Sequence, residues 1–122
     1  MVTKEELFEI LCAKEYTRYY SRQLALQNLE VIAREIQNEK PLAVCLGFED
    51  TPRGSGHSLA MVLCKTDLYF GTGYNTPHTV RVPLARIRKC YWDSPCMVLE
   101  FSTGTVHIRT DENFVRAVQS RL

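Results

Sequence analysis

"SLAMVLCKTDLYFGTG", residues 58–73, decides the fold of this chain. Apolar residues fill positions 59–64 and run straight into Lys65-Thr66-Asp67. Leu68, Tyr69 and Phe70 follow, then Gly71-Thr72-Gly73. A short apolar run bounded by turn residues is a strand, and two such runs around a tight turn are a hairpin. Thr66 and Asp67 suit the turn, because their side chains bond nearby backbone amides. Successive strand residues point to opposite faces, so Leu59, Met61 and Leu63 oppose Ala60, Val62 and Cys64. Both faces are apolar. The same is true of "LAVCL" at residues 42–46. A sheet built from these strands needs cover on both sides.

Downstream, the pattern predicts five more elements. "TVRVPL" (79–84) alternates, with Val80, Val82 and Leu84 opposed to Thr79 and Arg81. "ARIRKCYW" (85–92) reads as a strand with Ile87 and Tyr91 opposed to Arg86 and Arg88. "CMVLEF" (96–101) and "TVHIRT" (105–110) form a hairpin through Ser102-Thr103-Gly104. The end, "DENFVRAVQSRL", is a helix that Thr110 can cap, with Phe114, Val118 and Leu122 repeating every four residues. Loops rich in Pro and Gly fill 49–57 and 73–78.

Upstream, residues 3–38 are helical in pattern. Thr3 and Glu6 make a capping box. A stripe of Tyr19, Leu26, Leu29, Ala33 and Ile36 follows, at spacings of seven, three, four and three. The segment is either a short helix followed by a long one or one long kinked helix. Pro41 limits it from beyond. The stripe makes this arm, residues 1–40, the natural cover for the outer face of the first sheet, in cis or across a second subunit of a homo-oligomer.

The 122 residues fit one domain with one core, at 45% hydrophobic content. A formal charge of +1 supplies no field to attract nucleic acid, and none is expected as a partner. Five cysteines, at 12, 45, 64, 90 and 96, form no CxxC pair, and His57, His78 and His107 are scattered. Buried free thiols in a reducing compartment are expected, without metal or cofactor. "MVTKEELFEI" has acids where a secretory leader needs an apolar core, and no apolar run approaches a membrane span. A cytoplasmic location is expected.

Taken together, "LAMVLCKTDLYFG", "VRVPLARIRKCYW", "MVLEFSTGTVHIRT" and "ENFVRAVQSRL" resemble the bacterial pleckstrin-homology-like (PH-like, GRAM-like) domains over residues 41–122. The order and spacing of these motifs carry the resemblance. It implies an α+β fold: a seven-stranded, antiparallel, bent barrel with the last helix plugging one end. The helical arm lies outside the match.

Candidate binding residues follow from both readings. Arg81, Arg86, Arg88 and Arg109, with His107 beside the last, fall on outward strand faces and suit an acidic protein or a phosphate group. The resemblance places the loops holding Arg53, His57, Tyr74 and His78 near the open end of the barrel. Phosphoinositide-binding relatives cluster Lys and Arg there, whereas "FEDTPRG" offers Glu49 and Asp50. No nucleophile, base and orienting group converge, so no catalytic residue is assigned. Cys96, after Pro95, reads as the most exposed thiol. The expected function is a non-enzymatic PH-like interaction module acting through protein–protein contact. An anionic lipid or membrane-surface binder is the alternative. A small phage or mobile-element protein that inhibits a host enzyme is a third.

Overall fold

The computed structural model describes residues 1–11, 21–50, 57–73 and 76–122. Among the described residues two helices form the arm. Thr3 opens α1 (Lys4–Glu9), its hydroxyl oxygen accepting from the Glu6 N–H at 3.2 Å. The helix ends at Ile10, and Leu11 makes a parallel bridge with Val44, so the arm is not one long helix. Ser21 caps α2 (Arg22–Ile36) by accepting from the Leu24 N–H at 3.1 Å. The buried side of α2 is Ala25, Asn28, Leu29, Ile32, Ala33 and Ile36. Leu29, Ala33 and Ile36 lie where the sequence puts them. Leu26 is half-buried and off this seam, and Tyr19 is outside the described residues.

Seven strands follow: β1 (Ala43–Glu49), β2 (Ser58–Leu63), β3 (Asp67–Thr72), β4 (His78–Pro83), β5 (Lys89–Asp93), β6 (Cys96–Phe101) and β7 (Gly104–Arg109). They form one sheet in the order β4-β3-β2-β1-β7-β6-β5, every pairing antiparallel. Among the described residues β4 and β5 are its free edges, and the sheet is not closed. β1 joins the halves: residues Ala43 to Phe48 pair with β2, and only Phe48 and Glu49 pair with β7. The helix α3 (Glu112–Gln119) completes the chain.

The two apolar faces of β1 and β2 enter two cores. Val44, Leu46, Ala60, Val62 and Cys64 face the arm and pack with Leu7, Leu29, Ile32 and Ile36. Cys45, Met61 and Leu63 face the other way and share a core with Met97, Leu99, Ile108, Phe114 and Val118. Residues from both ends of the sheet meet in this second core, which requires the sheet to bend back on itself. The result is a small barrel-like fold whose arm covers the outer face in cis.

Three local readings are corrected. Residues 85–92 are not one strand: Leu84–Arg86 form a 3-10 turn, and β5 starts at Lys89. The Leu84 N–H donates to the Thr66 carbonyl at 2.9 Å, which pins the corner after Pro83. The shift changes the strand's phase, so Cys90 and Trp92 pack toward the α3 core and Tyr91 lies on the other face. The cap of α3 is Asp111, which accepts from the Asn113 N–H at 2.8 Å. Thr110 is buried instead, its hydroxyl donating to the Leu46 carbonyl at 2.9 Å.

Candidate functional site

The inner face of the bent sheet is filled at one end and open at the other. Phe114, Val115 and Val118 of α3 fill the end where β2 finishes and β3 begins. The Arg121 side chain donates to the Lys65 carbonyl at 3.2 Å, and Gln119 Nε2 donates to the Cys90 carbonyl at 2.9 Å. These bonds fix the helix over that end.

At the opposite end the halves leave a cavity of about 470 Å³. Leu59, Phe70, Val80 and Val82 line one wall, and Leu99, Phe101, Val106 and Ile108 the other. Strand alternation puts these residues on the face that is sealed deeper in, where Met61 and Met97 have no exposure. Near the mouth, Val80 is 49% exposed and Val106 37%. Glu49, His57, Thr76 and His78 line the cavity with them. His78 Nδ1 lies 2.9 Å from the Thr76 carbonyl. An apolar pocket with a few polar groups around it is the usual form of a binding site.

The structure brings some predicted site residues together and separates others. His57 and His78 both line the cleft. Arg81 lies on the outer face of β4, its guanidinium 4.0 Å from Asp67. Arg86 ends the 3-10 turn and Arg88 leads into β5, both exposed. Arg109 and His107 share the outer face of β7, with three strands between it and the β4 that carries Arg81, and Arg109 pairs with Asp50 at 3.9 Å. The four arginines therefore form no single patch. Arg53 and Tyr74 lie outside the described residues. Sequence reasoning missed the cleft's walls, because Val80, Phe101 and Val106 alternate like any core-facing residue.

The four described thiols are shielded. Cys96 is 4% exposed, which corrects its reading as an exposed thiol. Its Sγ lies 3.6 Å from Asp50 Oδ2. Burial pushes this thiol up, Asp50 adds to the rise, and Arg109 opposes it. Burial, with Glu39 and Asp67 adding, pushes Cys64 up to about 12, and burial alone pushes Cys90 up to about 11. Tyr69 donates to Glu39 Oε2 at 3.0 Å and is pushed up to about 12, by burial first and by this bond second. Among the described residues no group of three or more His, Cys, Asp or Glu is placed to hold a metal ion. No described helix is long and apolar enough to cross a membrane.

No protein-family model matches the sequence, and no curated protein matches it. Among solved structures, the chain is similar to the C-terminal domain of an unknown protein from Leishmania infantum. The TM-score is 0.60 at 9% identity, over 73% of this chain and 89% of that one. A likeness at this identity concerns the fold alone.

Proposed function

We propose that this chain is a non-enzymatic PH-like interaction module that works by protein–protein contact, with the open cleft as its contact surface. The observation that carries the reading is the exposure of Val80 and Val106 on a face that is fully buried at its other end, around Met61, Met97 and Phe114. Covering apolar surface there contributes roughly 25 cal/mol per Å². Burial raises the Cys64 and Cys90 thiols, so neither is an activated nucleophile. Glu49 lines the cavity itself, which favours apolar side chains there over an anionic headgroup.

The test is affinity recovery from the native host with the wild-type chain and a Val80→Glu, Val106→Glu double variant. Both positions are exposed, so the variant should keep its melting temperature. Loss of the recovered protein with the variant supports the reading. Equal recovery overturns it. Sedimentation of the wild-type chain with phosphatidylserine vesicles, absent with phosphatidylcholine alone, would replace it with the membrane-surface alternative.

A further inference from the structure

The sheet's two free edges are treated differently. β5 lies beside α3, and Gln119 occupies its Cys90 carbonyl. β4 lines the cleft, and its inward Val80 and Val82 are respectively exposed and half-buried. A free edge is a ready template for another strand, and flanking pockets for alternate side chains supply specificity.

Charge decides which strand fits. Arg81 stands on the outer face of β4 with its side chain 63% exposed, at 4.0 Å from Asp67. Arg86 follows at the corner, whereas Arg88 already runs beside β6, its N–H donating to the Glu100 carbonyl at 2.8 Å. Among the described residues the ion pairs involve Lys4, Arg34, Arg81, Arg109 and Arg116, and neither Arg86 nor Arg88 belongs to one. At this edge Asp67 stands beside Arg81, and Arg86 follows outside any described ion pair. A second copy of the chain is a poor occupant, because self-pairing about Arg81 sets like charges opposite each other, which destabilises a ribbon. Carboxylates at that cross-strand position would be attracted instead.

We infer that the partner enters the cleft as an extended acidic strand added to the free edge of β4. Apolar side chains at alternate positions enter the cavity beside Val80 and Val82. The intervening Asp or Glu residues lie on the outer face against Arg81, with Arg86 at the corner. This inference rests on the cleft being the contact surface and adds how the partner is read.

The probe is a displayed library of random linear peptides, selected on the whole chain. The expected winners alternate apolar residues with Asp or Glu. N-methylation of the alternate amides that face β4 should weaken a winner at least about tenfold, because each removes a backbone donor. N-methylation of the other set should leave binding unchanged. Hydrogen exchange at residues 79–82 should slow on binding, and Arg81→Glu should weaken a winner about fivefold or more. Winners with helical apolar spacing, basic winners, binding indifferent to N-methylation, or no enrichment would each overturn strand addition. Undiminished binding to the Val80→Glu, Val106→Glu variant would overturn the cleft itself. Loss with that variant, combined with indifference to N-methylation, would leave the cleft standing and remove only the strand.

Discussion

Asn28 on α2 and Gly73 just beyond β3 are joined by one hydrogen bond, the Gly73 N–H donating to Asn28 Oδ1 at 2.6 Å. Asn28 has no exposure, and it fastens the arm to the connection that leads into β4. Asn28→Ala should therefore cost about 1–3 kcal/mol, the usual penalty for a buried polar group left without its partner. Urea unfolding measures it: a lower midpoint at unchanged slope is expected.

The arm packs in cis, so the melting temperature should not depend on protein concentration. Ile32 is fully buried between helix and sheet. Ile32→Ala should cost about 2–5 kcal/mol. Removing residues 1–38 strips cover from Ala60, Val62 and Cys64 and should cause aggregation, read by light scattering. A soluble, cooperatively folding truncation would show that this face tolerates water.

On the inner side, Phe114 is fully buried at the end that α3 closes. Phe114→Ala should cost about 3–5 kcal/mol. Because the cleft lies at the other end, binding to the folded variant should survive at temperatures where it remains native. Loss of both together would mean that the two ends are mechanically coupled.

Alkaline pH should weaken the fold in a defined window. Cys64 and Cys90 start from ordinary values of 9.0 and are pushed up to about 12 and about 11. Tyr69 starts from 10.0 and is pushed up to about 12. Above pH 9 the unfolded chain releases these protons while the folded chain holds them. The unfolded state then binds fewer protons, so stability falls as pH rises. The loss begins near pH 9 and ends near pH 12, with a slope of up to about 1.4 kcal/mol per pH unit for each group. Denaturant titrations at stepped pH check this. The native Cys64 and Cys90 thiols should also resist a polar disulfide reagent until the protein unfolds.

The strands were legible wherever local pattern and tertiary position agree. The two-faced apolar runs around Val44 and Val62 called for a layer on each side, and Leu29, Ile32 and Phe114 provide them. Local pattern misled at residues 85–88, where a 3-10 turn imitates strand alternation over too few residues to tell the periods apart. It misled at Thr110 as well. Thr and Asp are both good helix caps, and only the position of the Leu46 carbonyl draws Thr110 inward. The cleft was not legible at all. Val80 and Met61 obey the same alternation, and their different exposure comes from how far the bent halves stand apart at each end.

Gly71 and Gly73, in the stretch that first suggested the hairpin, carry one more consequence. A Cβ on Gly71 would fall inside contact distance of the Ile32 and Val31 side chains. One on Gly73 would collide with the Gln27 carbonyl. The helix thus lies closer to this strand than side chains at these two positions would permit. Part of the instruction for holding the arm is therefore written in the sheet, far along the chain from the arm itself. Grafting α2 onto another barrel by copying its apolar stripe alone would leave the helix riding too high. The graft needs the Gly-Thr-Gly step as its seat.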